Sequence, residues 1–508
     1  MSTKSHLAVG LGKPPALAAR MISKSFGPTR VLDRVDFDVR PGEVHALVGE
    51  NGAGKTTLLR ILTGREQPTD GALSVGGQTM PSLTPALAKA HGISVVPQHV
   101  ELADHLSVAD NIFLNRWPTQ GGLIDMPAMR RETVRITARV GLRLDPDRLV
   151  NTLSYVEKQM LEIARLSEFD PRVIVLDEPT AALSVKEIRV LFALIRQLQK
   201  AGIAVIYVSH YLSEIASISD RVTVLRGGKV VASYLTKDTN TQRITYDMVG
   251  EITDLYPQRT VPLGAPVLEV RNASFGHLDS VSLQVRVGEV VGLVGAKGEG
   301  ISDFLRTICG VTGRLKTGTV LMHGQALSAG HSKAAMRLGL GYLSEERGRW
   351  GIFPGRSVAE NMSISSLRDF VRLHWFLDLG REIRIVTEAL KTYLVRTPSA
   401  ESDIRNLSGG NQQKALLARL FQAKLDVYVL DDPTLGVDVG SKAEINRLMN
   451  QELARGAGIL LSTSDLHEML EMSDRILVVR RGRIVREAAR GTMQLSEFEM
   501  LLEGEKDD

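Results

Sequence analysis

The sequence has little cysteine and little net charge. Its 508 residues include a single cysteine, Cys309. One cysteine excludes an intrachain disulfide and a cysteine-cluster metal site, and it fits a reducing compartment. Lys and Arg number 62 against 58 Asp and Glu, a net charge of +4. Over this length the chain is nearly neutral, so its composition gives no argument for a nucleic-acid binder.

Long apolar runs are also missing. Runs such as residues 203–208 have the length of a strand, whereas a helix that crosses a bilayer needs about 20 apolar residues. We therefore expect that the chain does not cross a membrane by itself. With 43% apolar and 24% charged residues, the composition is typical of a globular protein. At about 100–200 residues per domain, the length predicts two to four domains.

The chain contains an internal duplication. GEVHALVGENGAGKTTLLRILTG begins at Gly42 and recurs as GEVVGLVGAKGEGISDFLRTICG at Gly288, an offset of 246 residues. Later segments recur with an offset of 254 residues, for example SDRVTVLRGGKVV and SDRILVVRRGRIV. The second copy is therefore eight residues longer between its glycine loop and its LSGG segment. We expect an inserted helical region there.

Each copy alternates short apolar segments with helical patterns. Buried strands of a largely parallel sheet, covered by helices, are predicted at residues 44–48, 173–176 and 204–208. We predict an α/β fold with two tandem domains, residues 17–250 and 267–503, each with a mixed sheet core and a helical subdomain. The prolines and weak periodicity of residues 251–266 predict a linker between them.

A glycine-rich segment lies between a predicted strand and a predicted helix. Residues 49–56, GENGAGKT, fit the pattern G-x-x-x-x-G-K-[ST]. Glycines let the backbone turn its N–H groups toward a phosphate, and the helix N-terminus adds favourable partial charge. Lys55 supplies a cation for the β- and γ-phosphates, and Thr56 supplies a hydroxyl for Mg²⁺. The predicted nucleotide-binding residues are Gly49, Glu50, Asn51, Gly52, Ala53, Gly54, Lys55, Thr56 and Thr57.

An acidic pair, Asp177 and Glu178, ends another predicted strand. A carboxylate at this point can hold Mg²⁺, and the next one can polarise a water for in-line attack on the γ-phosphate. An acidic pair by itself is typical of a solvated sheet edge or a helix cap. The phosphate loop upstream favours the catalytic interpretation.

With these motifs the sequence resembles the ATP-binding subunits of ATP-binding-cassette (ABC) transporters, over about residues 17–500. Gln98 in VVPQ matches the Q-loop of that family, His210 in YVSH its switch histidine, and residues 407–413, LSGGNQQ, its signature motif. The fused halves, the short linker, LSGGNQQK and LSVADNIFLNR are most similar to tandem-cassette subunits of bacterial monosaccharide importers of the ribose/galactose/xylose type. The resemblance implies two tandem P-loop NTPase domains.

The resemblance also implies roles for individual residues. It implies catalysis by Glu178 with His210 and Gln98, and Mg²⁺ binding by Thr56, Gln98 and Asp177. Further ATP contacts are implied for Phe26, Ser408, Gly409, Gly410 and Gln412. An aromatic residue at the position of Phe26 stacks on adenine in the family, although packing in the core stays an alternative. The signature helix of one cassette faces the γ-phosphate held by the other, so we expect the two cassettes to pair and to form two composite sites.

The two expected sites are unequal in sequence. The second half departs from the family pattern at the lysine, catalytic glutamate, switch histidine and Q-loop positions, which hold Ile301, Asp432, Ser464 and Glu345. An isoleucine cannot make the charged hydrogen bond to phosphate, a contribution of about 1.5–3 kcal/mol. An aspartate withdraws the carboxylate by one C–C bond, about 1.5 Å.

The signature of the first half is altered as well. Residues 153–159, LSYVEKQ, lack both glycines, and Ser154 with Glu157 predicts a capping box. All the departures fall in one of the two expected composite sites. We therefore expect one hydrolysing site and one impaired site.

The expected function is that of an ATP-hydrolysing subunit at the cytoplasmic face of the membrane, with ATP and Mg²⁺ as cofactors. It would drive import of a monosaccharide or small polyol through separate permease subunits, two in number, supplied by a solute-binding protein, with no nucleic acid involved. A tandem cassette that acts on ribosomes or nucleic acid is the alternative. Such proteins usually have a long charged linker and two intact signatures, which this chain lacks. A regulatory ATP-binding protein stays open, and the transported sugar cannot be inferred.

Overall fold

The computed structural model describes residues 14–97, 101–167, 171–180, 183, 185–209, 211–250, 255–257, 261–296, 298–327, 330–372 and 376–503. The chain divides into two compact units, Met1–Ile252 and Thr253–Asp508. Within these described ranges, no helix combines the length and the apolar character needed to cross a bilayer.

The first unit alternates strands and helices. Its strands are β1 (Leu17–Phe26), β2 (Thr29–Val39), β3 (Val44–Val48), β4 (Asp70–Val75), β5 (Gln78–Met80), β6 (Ile93–Val96), β7 (Thr119–Gln120), β8 (Leu123–Ile124), β9 (Val173–Asp177), β10 (Ala204–Val208), β11 (Arg221–Arg226) and β12 (Lys229–Leu235). Its helices are α1 (Lys55–Leu62), α2 (Pro85–Ala90), α3 (Val108–Ile112), α4 (Met126–Arg139), α5 (Tyr155–Ser167), α6 (Val185–Lys200), α7 (Leu212–Ile218) and α8 (Thr241–Val249).

Two sheets organise the described part of this unit. One has the order β2-β1-β4-β5 and is antiparallel, and the larger one has the order β12-β11-β3-β10-β9-β6. In the larger sheet β6, β9, β10, β3 and β11 run parallel, and only β12 is antiparallel to its neighbour. The strands predicted at residues 44–48 and 204–208 are confirmed, and the one predicted at 173–176 continues to Asp177.

The larger sheet is covered on both faces. Ala204, Ile206 and Val208 of β10 pack with α1 and the antiparallel sheet, whereas Val205 and Tyr207 pack with α3, α5 and α6. Successive strand residues point to opposite faces, so a strand that is covered on both sides is apolar throughout. This burial explains the continuous apolar run of β10. In β3 the one polar residue, His45, is buried with its ring nitrogens hydrogen-bonded to the Asp38 carbonyl oxygen and the Thr223 hydroxyl.

The second unit repeats this plan. Its strands are β13 (Pro266–Phe275), β14 (Leu278–Arg286), β15 (Val290–Gly295), β16 (Thr317–Met322), β17 (Gln325–Ala326), β18 (Leu340–Leu343), β19 (Val371–Arg372), β20 (Phe376–Leu377), β21 (Val427–Asp431), β22 (Gly458–Ser462), β23 (Arg475–Arg480) and β24 (Arg483–Ala489). Its helices are α9 (Ile301–Ile308), α10 (Ser332–Arg337), α11 (Val358–Ser363), α12 (Leu379–Thr392), α13 (Gly409–Gln422), α14 (Val439–Ala454), α15 (Leu466–Met472) and α16 (Leu495–Glu503).

The sheets of the second unit have the same strand order as those of the first. In its described residues the orders are β14-β13-β16-β17 and β24-β23-β15-β22-β21-β18. The prediction of two tandem α/β domains with mixed sheets and helical regions is confirmed.

The eight additional residues of the second copy do not form a single insertion. Strand β18 begins 247 residues after β6, α11 begins 250 after α3, and α12 begins 253 after α4. Six of the eight additional residues therefore lie in two short segments. One, between β18 and α11, contains a π-helical turn at Arg347–Gly351, and the other, between α11 and α12, contains a 3₁₀-helical stretch at Ile364–Phe370. The expectation of one inserted helical region is corrected accordingly.

Candidate active site

The glycine loop of the first unit joins β3 to α1, and its backbone demands glycine. Gly54 is the N-cap of α1 and has a left-handed conformation with φ 102°. A Cβ atom at Gly54 would lie 2.6 Å from Leu32 Cδ2, and one at Gly49 would lie 2.2 Å from the carbonyl oxygen of Leu225. At Gly52, in contrast, a Cβ atom would meet open space. The loop is therefore packed against the protein at Gly49 and Gly54, whereas it faces open space at Gly52.

The first turn of α1 has the character of an anion site. It contains no acidic residue, and no side chain caps it in the described structure. Lys55 Nζ donates hydrogen bonds to the carbonyl oxygens of Gly49 at 2.6 Å and Glu50 at 3.0 Å, which brings the ammonium group into the curve of the loop. Helix N–H groups and an adjacent cation are what a phosphate requires, so the loop fits a nucleotide.

Two neighbouring carboxylates end β9. Burial and the negative charge of Glu178 raise the pKa of Asp177, and the Lys55 charge acts in the opposite direction. Carboxylate and hydroxyl oxygens are the ligands that Mg²⁺ prefers, and a divalent cation offsets the repulsion between adjacent carboxylates. The binding of Mg²⁺ by Asp177 and Thr56 stays a prediction.

The backbone of Glu178 has a left-handed conformation that is uncommon for a residue with a side chain. Its φ is 49°, and its N–H donates to the carbonyl oxygen of Val208 at 2.9 Å. Asp432 repeats the arrangement in the second unit, with φ 48° and a hydrogen bond of 2.8 Å to Ser462. Such backbone outliers are frequent at functional sites. Sequence reasoning had no signal for this feature.

Gln98 and His210, both predicted from the family resemblance, lie outside the described residues. The residues on either side of position 210 are described. The backbone N–H of Tyr211 donates to the Ser209 hydroxyl at 3.0 Å.

The signature segment of the second unit begins α13. Ser408 is the N-cap, and its hydroxyl accepts hydrogen bonds from the N–H of Asn411 at 3.4 Å and from Asn411 Nδ2 at 3.0 Å. Gln412 Nε2 donates to the carbonyl oxygens of Ile404 at 3.2 Å and Leu407 at 3.1 Å. Gln412 thus holds the turn that precedes the helix.

Neighbouring segments of the same unit pack tightly on the signature glycines. A Cβ atom at Gly410 would lie 2.4 Å from the Ser441 hydroxyl, so only glycine fits there. Arg347 Nη1 donates to the carbonyl oxygen of Gly409 at 2.7 Å. Ser441 and Arg347 support the signature segment, and both were missed by sequence reasoning because they lie far from it in the chain.

The start of α5 in the first unit is built differently. The N–H of Glu157 donates to the Ser154 hydroxyl at 3.2 Å, and the N–H of Ser154 donates to Glu157 Oε2 at 2.7 Å. The predicted capping box is confirmed. Arg148 also binds the Glu157 carboxylate, at 2.9 Å. This helix start therefore has a carboxylate at the position of Asn411, and Tyr155 and Val156 stand in place of the two signature glycines.

The second glycine loop has apolar and hydrogen-bonded contacts in place of a lysine. Ile301 is buried, and a Cβ atom at Gly295 would lie 2.9 Å from Ile301 Cδ1. The Ser302 hydroxyl and the Tyr342 hydroxyl donate to the two oxygens of Asp431 at 3.2 and 3.0 Å. Burial, together with the charge of Glu345, raises the pKa of Asp431 to about 7.

Phe26 lies at the end of β1, and 47% of its surface is exposed. The ammonium group of Lys24 lies 4.9 Å from the ring centroid. Phe275, its counterpart, is partly buried and packs against the core of the second unit. The stacking of adenine on Phe26 remains a prediction.

A phosphate loop between strand and helix, a following acidic pair and a second copy of the same fold define a P-loop ATPase with two cassettes. The sequence profile of the ABC transporter family matches residues 32–181 and 278–435. The chain belongs to the ABC transporter family, and it is an ATP-binding, ATP-hydrolysing member with two tandem cassettes.

Similar proteins cover nearly the whole chain. The ribose import ATP-binding protein RbsA 1 of Rubrobacter xylanophilus is 43% identical over 475 residues, which are 93% of this chain and 95% of that protein. The ribose import ATP-binding protein RbsA of Corynebacterium glutamicum is 39% identical over 483 residues, 94% of this chain and 92% of that protein. Among solved structures, an archaeal ribosome recycling factor in complex with a ribosomal stalk protein has a TM-score of 0.63 at 20% identity, over 92% of this chain and 90% of that one. At this identity the likeness shows the fold alone.

Proposed function

We propose that this protein is the ATP-hydrolysing subunit of an importer for a monosaccharide or a related small polyol. The observation that carries the proposal is the 43% identity to a ribose import ATP-binding protein along 93% of this chain. Such end-to-end similarity includes both cassettes and the linker region between them. The likeness to the ribosome recycling factor concerns the fold only, and it does not favour action on ribosomes.

In the proposed site, ATP binds to the glycine loop of the first cassette. The N–H groups of residues 49–57 and the Lys55 ammonium surround the β- and γ-phosphates, while Phe26 stacks on the adenine. Lys55 now donates to the Gly49 and Glu50 carbonyl oxygens. Because both are neutral acceptors, the charged phosphate competes with them effectively.

Thr56, Asp177 and Gln98 would hold Mg²⁺, which supplies charge neutralisation of the phosphates when bound. Glu178 polarises the attacking water and accepts its proton, and His210 stabilises the γ-phosphate. The position of Glu178, directly after Asp177 at the carboxyl end of β9, supports this role. Its left-handed backbone recurs at Asp432 and therefore does not distinguish the two cassettes.

The second half of the working site is the signature segment of the other cassette. We propose that Ser408, Gly409 and Gly410 approach the γ-phosphate when the two cassettes pair, with Gln412 supporting their turn. The other composite site would combine Ile301, Asp432 and Ser464 with the altered signature of the first unit. Ile301 is seated over Gly295, and Asp431 is already hydrogen-bonded to Ser302 and Tyr342, so this site is proposed to be impaired in hydrolysis.

The proposed partners are two permease subunits in the membrane and a solute-binding protein outside it. One chain already supplies two cassettes, so a single copy would serve both permease subunits from the cytoplasmic face of the membrane. The domains are proposed to be residues 17–250 and 267–503, joined by the linker at 251–266.

Reconstitution tests this function. The chain is purified with its permease subunits, placed in proteoliposomes and supplied with a sugar-loaded solute-binding protein. We expect ATPase activity that rises with the loaded binding protein and vanishes in the Lys55→Ala variant, together with uptake of the sugar. ATPase activity that responds to ribosomes and not to the binding protein would contradict the proposal, as would two copies of the chain in each transporter.

A further inference from the structure

In the first unit, one carboxylate oxygen of Glu214 accepts hydrogen bonds from three hydroxyl groups. Its Oε2 accepts hydrogen bonds from Thr180 Oγ1 at 2.9 Å, from the Tyr207 hydroxyl at 2.8 Å and from Ser209 Oγ at 2.8 Å. All four residues are buried. Hydrogen bonds to a charged acceptor are strong, and in a buried setting they rigidify the groups that make them.

Two of the donors lie on the segments that carry the expected catalytic residues. Thr180 follows Glu178 by two residues, and Ser209 directly precedes position 210. The backbone N–H of Glu178 also donates to the carbonyl oxygen of Val208 at 2.9 Å. The ends of β9 and β10 are therefore tied together twice, once by backbone and once through Glu214.

The third donor, Tyr207, connects the Glu214 carboxylate to the central strand β10. Burial and the charge of Glu214 raise the pKa of the Tyr207 hydroxyl well above its ordinary value, so the hydroxyl stays protonated and donates. Because Tyr207 is a fully buried residue of β10, it fixes Glu214 to the core of the sheet.

We propose that Glu214 is a positioning residue for ATP hydrolysis, which through Thr180 and Ser209 holds together the segments that follow β9 and β10 and thereby fixes the position of Glu178. The proposal rests on the proposed function, in which the first cassette hydrolyses ATP. Glu214 is not proposed to contact the nucleotide. A misplacement of about 1 Å in a reacting group can cost about 10²-fold in rate, so the loss of this network is expected to lower turnover.

The second unit contains the matched control. Glu468 Oε2 accepts hydrogen bonds from Thr434 Oγ1 at 2.6 Å and Thr463 Oγ1 at 2.9 Å. The tyrosine is replaced by Leu461, and Lys442 Nζ lies 3.6 Å from the carboxylate. A related network, with two hydroxyl donors and a lysine, thus exists beside the cassette site that is proposed to be impaired.

The experiment compares Glu214→Ala with Glu468→Ala in steady-state ATP hydrolysis by the full chain in its transporter complex. For Glu214→Ala we expect kcat to fall by about tenfold or more, with KM for ATP changed by less than about threefold. Glu214→Gln keeps the shape and one acceptor oxygen, so it should recover part of the loss. Glu468→Ala should keep kcat within about twofold of wild type. Equal losses in the two alanine variants, or a raised KM with kcat unchanged, would overturn the proposal.

A second comparison separates positioning from a general loss of folded protein. In a Glu178→Gln background, Glu214→Ala should lower the residual hydrolysis by less than about twofold, because both changes affect the same step. A folding defect would lower activity by the same factor in both backgrounds. If Glu214→Ala does not fold, Thr180→Val is measured in its place. This variant removes one hydroxyl donor and keeps a side chain of similar volume. A wild-type kcat in Thr180→Val would then contradict the proposal, whereas a wild type without ATPase activity contradicts the proposed function itself.

Discussion

Asp432 Oδ1 accepts hydrogen bonds from both the backbone N–H and the hydroxyl of Ser464, at 3.0 and 3.1 Å. Asp432 stands where the first cassette has Glu178, and Ser464 stands where it has His210. Burial raises the pKa of Asp432 to about 6, although the Ser464 hydrogen bonds act in the opposite direction. In the second cassette the two divergent positions therefore bind each other, and one oxygen of the shorter Asp432 carboxylate is already engaged by Ser464.

The first prediction concerns the two glycine loops. Lys55→Ala removes the cation that faces the phosphates and should lower ATP hydrolysis by about 10²-fold or more. Ile301→Met keeps the volume of a buried side chain and should leave turnover within about twofold of wild type. The measurement is steady-state ATPase activity of both variants. Comparable losses would show that the second loop also serves hydrolysis.

The second prediction concerns the glycine at the start of α13. A Cβ atom at Gly410 would lie 2.4 Å from the Ser441 hydroxyl. Gly410→Val should therefore displace the signature helix and lower ATPase activity by about tenfold or more, and a second change, Ser441→Gly, should restore part of it. Val156→Gly at the matching position of the first unit is the control, and we expect it to change activity little. A fully active Gly410→Val variant would exclude the steric explanation.

The third prediction concerns Arg347, which donates to the Gly409 carbonyl oxygen at 2.7 Å. Arg347→Ala removes this support from the signature segment and should lower kcat by several-fold while the fold is retained. Arg349, two residues further on with a side chain that is 71% exposed, provides the control. If Arg347→Ala and Arg349→Ala have the same activity, the support is without consequence for catalysis.

The fourth prediction concerns pH. The pKa of Asp431 is raised to about 7 in the folded protein, against an unfolded value of 3.8. Between these values the folded state binds more protons than the unfolded state, so the contribution of Asp431 to stability falls as pH rises from about 4 to about 7. Asp431→Asn removes this dependence and should gain stability relative to wild type, on the order of a few kcal/mol, between about pH 5 and pH 8. Thermal unfolding of the wild type and of Asp431→Asn is measured at about pH 5 and about pH 8. If the two proteins differ in stability by the same amount at both pH values, the raised pKa of Asp431 is contradicted.

Much of this architecture could be predicted because it rests on local patterns. The mostly apolar strands β3 and β10, the glycine loop before α1 and the Ser154–Glu157 capping box each depend on residues close in sequence. Duplication of the sequence also indicated that the second cassette would repeat the strand order of the first.

The contacts that support the site could not be predicted in the same way. Glu214 with Thr180, and Arg347 with Gly409, are separated by 34 and 62 residues. Such pairs are brought together by sheet order and helix packing, which no local pattern encodes. The additional length of the second copy was misjudged for a related reason, since an offset between repeats gives the number of added residues and not their distribution.

The central claim is that the first cassette carries the hydrolysing site, and a comparison of Glu178→Gln with Asp432→Asn tests it most directly. Glutamine keeps the size of Glu178 but loses the charge that polarises water, so ATP should stay bound while steady-state hydrolysis falls by about 10²-fold or more. Asp432→Asn changes a carboxylate already bound to Ser464 and should leave hydrolysis near that of wild type. Retained nucleotide and turnover are measured for both variants beside the wild type. If Asp432→Asn stops turnover while Glu178→Gln leaves it near normal, the assignment of the working site to the first cassette is wrong.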